Sequence, residues 1–194
     1  MNKAVFDTFP KLITKRLILR RLFIDDAEAL YDILSCEKAM VYYGIFPLEQ
    51  VGHAKWFIEQ YQSGFINKRI IRWAIVEKET NRFVGTCGYQ GLNETSSRSE
   101  IGYELHPDVW HKGYMQEALY AIICWGFDVF ELNRIEALIY PENHASAHTV
   151  EKLGFTKECC LKEYAYFRDT YTDLNLYRLL KREYILNETT HRWR

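Results

Sequence analysis

No stretch of this chain approaches the roughly 20 consecutive apolar residues that a bilayer-spanning helix needs, and no basic, apolar leader marks it for secretion. These absences argue against a membrane partner and make the cytoplasm the expected location. Long runs of Lys and Arg are missing as well, and the net charge is only −1. That balance disfavours bulk nucleic-acid binding while leaving room for a protein substrate met through a local acidic cleft. The five cysteines show no paired metal-ligand spacing, and adjacent Cys159 and Cys160 on a strand would face opposite ways, so neither a metal site nor a disulfide is expected. Repeats, low-complexity tracts and Pro/Ser-rich linkers are also lacking. One domain is therefore expected over residues 10–186, with 187–194 as a C-terminal tail and 1–9 unassigned. A chain that is 48% hydrophobic and 15% aromatic can fill a single core of that size.

The most informative stretch is Trp110-His111-Lys112-Gly113-Tyr114-Met115-Gln116-Glu117-Ala118, where a Gly-containing turn runs into a strongly apolar helical pattern. Met115, Ala118/Leu119, Ile122/Ile123, Gly126 and Val129/Phe130 recur at intervals of three and four, one wide buried stripe. Just upstream, Ser97 to Leu105 reads as a strand, with Ile101, Tyr103 and Leu105 alternating against Glu100, Gly102 and Glu104, and Pro107 ends it. The first N–H groups of a helix have no intrahelical partner and carry the positive end of the helix dipole, so such a junction suits a phosphate. An ordinary strand-to-helix connection would have the same local pattern.

A second junction follows. Arg134 to Tyr140 reads as a short buried strand, then Pro141-Glu142-Asn143-His144-Ala145-Ser146 leads into a short helix. That helix closes at Lys152-Leu153-Gly154-Phe155, with Gly154 suited to a left-handed cap.

Together the two junctions resemble the GCN5-related N-acetyltransferase superfamily, whose pyrophosphate loop follows Gln/Arg-x-x-Gly-x-Gly/Ala. Here that loop falls on Trp110 to Met115, with Trp110 in place of Gln/Arg and Met115 in place of the final Gly/Ala. The run Asn143, Ser146 and Glu151-Lys152-Leu153-Gly154-Phe155 is similar to the subgroup that acetylates ribosomal-protein N-termini. The rest of the chain follows the order expected of the superfamily. Strands are expected over Thr14–Leu22, Ile70–Glu77, Arg82–Tyr89, Thr156–Tyr166 and Thr172–Arg182, with turns at Thr80-Asn81 and Arg168-Asp169. Helices are expected from Asp25 or Asp26 to about Leu34 and over Pro47–Gly64. The implied fold is α/β (mixed α+β), a central twisted mixed sheet of about seven strands flanked by about four helices.

The resemblance implies acetyl-CoA as cofactor and direct attack of a primary amine on its thioester. The oxyanion donor is then expected near Leu105 and His106 on a splayed strand end that also pairs with the pantetheine arm. His111, Lys112, Gly113, Tyr114, Met115 and Gln116 would offer amides to the pyrophosphate, with Lys112 adding charge at the rim. Ser146 is the candidate acid for the departing thiolate, because Val150 stands where many members carry a Tyr; as a Ser near a helix start it is equally suited to capping. Asn143 would either hold the pantetheine or close the turn after Pro141. For the base, the subgroup's Glu position is occupied by Ala165. Glu163, two residues earlier, would keep the same strand face, and Glu100 occupies the position used by histone-type relatives; Glu100 ranks first. An α-amine, which ordinarily titrates near 7.7–8.0, is already about a tenth unprotonated at neutral pH and needs only modest help.

The acceptor expected from these features is the N-terminal α-amine of a ribosomal-type protein. A small amine (polyamine, amino sugar or antibiotic) is the nearest alternative, and a non-catalytic acyl-CoA-binding regulatory module is a third. A homodimer is compatible with the sequence.

Overall fold

A computed structural model describes the backbone of residues 1–189 and the side chains of residues 1–185. Eight strands form one sheet in the order β1 (Leu12–Ile13), β2 (Leu17–Arg21), β3 (Ile71–Glu77), β4 (Phe83–Asn93), β5 (Arg98–Leu105), β6 (Arg134–Ile139), β8 (Thr170–Leu180), β7 (Thr156–Phe167). The six α-helices are α1 (Ala27–Leu34), α2 (Glu37–Met40), α3 (Val51–Ile66), α4 (Tyr114–Asp128), α5 (His144–Lys152) and α6 (Lys181–Thr189). The expected elements are present, and the additions are short or non-periodic. β1 has two residues and α2 four, too few to show a period. The last strand stops at Leu180, two residues earlier than its pattern suggests, because the Glu183 carboxylate accepts the Leu180 N–H at 3.1 Å and starts α6. That helix continues past residue 186; residues 190–194 of the expected tail lie outside the described residues.

Both faces of the sheet are covered, so its central strands are buried without alternation. In β3, Ala74 and Val76 pack with α1 to α3, while Trp73 and Ile75 join the core beneath α4. Trp73 is fully buried, lies 5.4 Å from the Trp125 ring, and donates its indole N–H to the Pro10 carbonyl at 2.7 Å. The unassigned N-terminal residues also belong to this core. Lys3–Phe6 form a 3₁₀ turn, Val5 is buried, and Phe6 sits 5.3 Å from Phe65 and 5.7 Å from Phe130.

Double coverage overturns one expectation. The row Glu100, Gly102, Glu104 reads from the sequence as the polar partner of a one-sided strand, yet Glu104 is buried under the α1 to α3 layer. Its charge is compensated there: Arg72 and Thr86 donate to it, and the Tyr43 hydroxyl donates from 3.1 Å.

The feature that creates a site is a break in strand pairing. β5 and β6 are parallel neighbours only over Arg98↔Arg134, Ser99↔Ile135 and Glu100↔Glu136. β6 then stays paired with β8 through Ile139↔Asn175, while β5 follows β4 to Gly85↔Leu105. Beyond Glu100 the two strands part, and a cleft opens between them.

Candidate active site

The cleft wall on the β5 side is main chain. The His106 N–H donates to the Val84 carbonyl at 2.8 Å, so the alternation of an antiparallel ladder turns the N–H and C=O groups of Leu105 and Tyr103 away from β4 toward the opening. Of the two residues expected to supply an oxyanion donor, His106 has its amide engaged, and Leu105 presents its N–H. The Leu105 carbonyl accepts the Trp110 indole N–H at 2.9 Å. Trp110 thus ties the strand end to the loop that follows, a function not visible in the sequence, where it only breaks a motif.

That loop ends on Gly113, which is left-handed at φ 76° and forms the N-cap of α4 with no side-chain cap. A residue with a Cβ would be strained there, and Gly113 has no side-chain oxygen to cap the first-turn amides of Tyr114, Met115 and Gln116. His111 is left-handed too, at φ 60°. The side chains of Tyr114 and Met115 are buried, so these positions can offer only their backbone to a ligand. Lys112 is exposed at the rim. Beneath the loop, Glu117 accepts the Thr14 hydroxyl at 2.6 Å, the Arg16 N–H at 2.7 Å and the Arg16 Nε at 2.6 Å. Arg16 in turn donates to the Lys112 carbonyl at 2.8 Å and stacks 4.5 Å from the Tyr114 ring. This clamp joins residues about a hundred positions apart, and no local signal reveals it.

On the opposite wall, Asn143 is the cap of α5: its side-chain oxygen accepts the Ser146 N–H at 3.1 Å. Ser146 therefore does not cap the helix. Its hydroxyl reaches across the cleft to Tyr103, with Oγ and Oη 2.6 Å apart. Val150, at the position of the usual tyrosine, is fully buried in the core. Tyr103 is the hydroxyl-bearing residue that sequence reasoning missed, since in the sequence it is only one apolar position of an alternating strand.

The two candidate bases differ in setting. Glu100 sits where the strands part and accepts from Gln90 Nε2 at 3.0 Å. Burial, with the nearby Glu136 charge, pushes its carboxyl pKa up, against the lowering effects of Gln90 and Arg98. Glu163 is exposed, at φ 49°, inside an irregularity where β7 advances from Leu161 to Ala165 while β8 moves only from Leu174 to Thr172. Period-two alternation, which would give it the face of Ala165, does not hold across that bulge. Its N–H is held by Asp173 at 3.0 Å.

Comparisons with known proteins agree with this fold. The acetyltransferase (GNAT) domain family matches residues 16–156. The chain is 36% identical over 173 residues to the uncharacterized N-acetyltransferase YoaA of Bacillus subtilis (strain 168), covering 89% of this chain and 98% of that protein. It is 29% identical over 97 residues to the ribosomal-protein-serine acetyltransferase of Escherichia coli (strain K12), covering 50% of this chain and 54% of that protein. In fold it resembles a GNAT-family acetyltransferase from Bacillus anthracis, with a TM-score of 0.80 at 24% identity, over 89% of this chain and 99% of that one. The chain therefore belongs to the GNAT acetyltransferases and is an acetyl-CoA-dependent N-acetyltransferase.

Proposed function

We propose that the protein acetylates the N-terminal α-amine of a protein of the ribosomal type, using the β5/β6 cleft for acetyl-CoA. The observation that carries the cofactor part is the meeting of the parted strands with the uncapped start of α4. Amides from His111 to Gln116 hold the pyrophosphate, Lys112 adds charge, and the side-chain amide nitrogen of Asn143 faces the pantetheine arm. The Leu105 N–H receives the oxyanion as the amine nitrogen bonds to the acetyl carbon. As the C–S bond breaks, its electron pair goes to sulfur and a proton comes from Ser146. Glu100 takes, through water, the proton that the amine loses; its raised pKa makes it a better proton acceptor than an exposed carboxylate. Glu163, exposed on the β7 bulge, is left as the second-ranked base.

The α-amine assignment draws support from the Asn143, Ser146 and Gly154-Phe155 run and from the name of the Escherichia coli relative. Thiol release should be followed with N-terminal-serine and N-terminal-alanine peptides, their N-blocked forms, spermidine and an amino sugar. Turnover of the free peptides alone supports the reading. Turnover of a small amine with none of the peptides overturns it in favour of the small-amine alternative.

A further inference from the structure

Two hydroxyls meet in the cleft, and the proposed mechanism uses only one of them. The Tyr103 Oη lies 2.6 Å from Ser146 Oγ and 3.4 Å from the Ser146 carbonyl oxygen. Thr149, one turn further along α5, shows what a helical hydroxyl does when nothing draws it away: it returns to the Ala145 carbonyl, four residues back, at 2.8 Å. The Ser146 hydroxyl is drawn instead to a residue on the far wall. Resting on the reading of Ser146 as the acid, we propose that Tyr103 is its positioning residue: the phenol donates to Ser146 Oγ and leaves the serine's own proton to point into the cleft, toward the departing sulfur.

The direction of donation follows from chemistry. A phenol is a stronger hydrogen-bond donor than an aliphatic alcohol, and both of its neighbours on Ser146, the hydroxyl and carbonyl oxygens, can accept. Burial pushes the Tyr103 pKa up to about 12, so the phenol keeps its proton across the working range. A donor held on one lone pair of Oγ polarises the serine O–H and fixes its rotor. The proton count closes over a turnover. Sulfur takes the Ser146 proton, and Ser146 regains from solvent the equivalent of the proton released by the acceptor amine, while Tyr103 keeps its own throughout. A hydroxyl on β5 thereby offsets the absence of one at Val150.

The test needs no acceptor. CoA itself, bound to the full chain, is titrated by the ultraviolet absorbance of its thiolate, in wild type and in Ser146→Ala, Tyr103→Phe and the double variant. A hydroxyl donating to sulfur favours the thiolate, so Ser146→Ala should raise the thiol's titration midpoint by about one pH unit. Tyr103→Phe should raise it by a similar amount with CoA affinity unchanged, and the double variant should match the singles, since the two act as one unit. A wild-type midpoint in Tyr103→Phe, with Ser146→Ala shifted, overturns the inference and leaves Ser146 in place. No shift in Ser146→Ala removes both. Should Tyr103→Phe fail to fold, 3-fluorotyrosine at position 103, a stronger donor of nearly the same shape, should lower the midpoint, and an unchanged midpoint there counts against the inference.

Discussion

Arg72 on β3 and Glu104 on β5 pair across β4 inside the sheet, their side chains only 5% and 4% exposed. The pair is satisfied on every side: Arg72 Nε donates to Thr86 at 2.6 Å, the Tyr61 ring lies 5.4 Å from the guanidinium, and Tyr43 closes the carboxylate. Breaking it strands a charge in a dry site. Arg72→Met should therefore cost about 3–5 kcal/mol in urea unfolding, and Arg72→Met combined with Glu104→Leu much less. Equal losses in the single and double variants would mean that the pair itself, and not the stranded charge, sets the cost.

The left-handed Gly113 leads to a prediction about the cofactor. Gly113→Val puts a β-branched side chain at φ 76° on the N-cap of α4. The acetyl-CoA dissociation constant should rise at least tenfold, with the overall fold kept. Calorimetry showing unchanged affinity would remove the α4 start from the binding site.

Capping and the proposed proton donation fall on different residues and can be separated. Asn143→Ala removes the oxygen that holds the Ser146 N–H and should lower stability by about 1 kcal/mol. Ser146→Ala leaves that cap intact, and should lower kcat at least tenfold with little change in melting temperature. The reverse pattern, stability lost at Ser146 and turnover untouched, would return Ser146 to a structural role.

Glu100, in the base role proposed for it, links activity and stability with opposite signs. Its folded-state pKa is raised, with burial the largest cause, so the folded state favours the protonated form. That contribution is present below the unfolded value of about 4.3 and fades as pH rises from there through the folded pKa, leaving the ionised group destabilising at neutral pH. Glu100→Gln should thus be more stable than wild type at pH 7, and of nearly equal stability at pH 3. Its kcat/KM should fall most on the acid side, where the amine is chiefly protonated, and least above the amine's pKa of about 8. A uniform loss at all pH values would take the base role away from Glu100.

Much of this architecture is legible in the sequence because it is written in local patterns. The hairpin at Asn81, the Gly113 turn, the apolar stripe of α4 and the left-handed Gly154 each follow from residues a few positions apart. The remainder depends on contacts between distant segments. Glu104 looks like a solvated strand residue until α1 to α3 cover it; Tyr103 and Ser146 are 43 positions apart, and Arg16 and Glu117 are separated by 101. Periodicity misplaces Glu163 because it assumes an unbroken ladder, and β7 is bulged there. α6 is hidden because strand and helix share one continuous run at Leu180 and Lys181, with no break between them.

Only three residue pairs join β5 to β6, so the sheet consists of two plates sharing one narrow seam. One plate carries β1 to β5, the other β6 to β8. A slender chain lodged between them touches both, and it replaces lateral bonding that the polypeptide itself omits. An acyl donor bound there as proposed would bridge the two plates and stabilise the folded sheet by mass action.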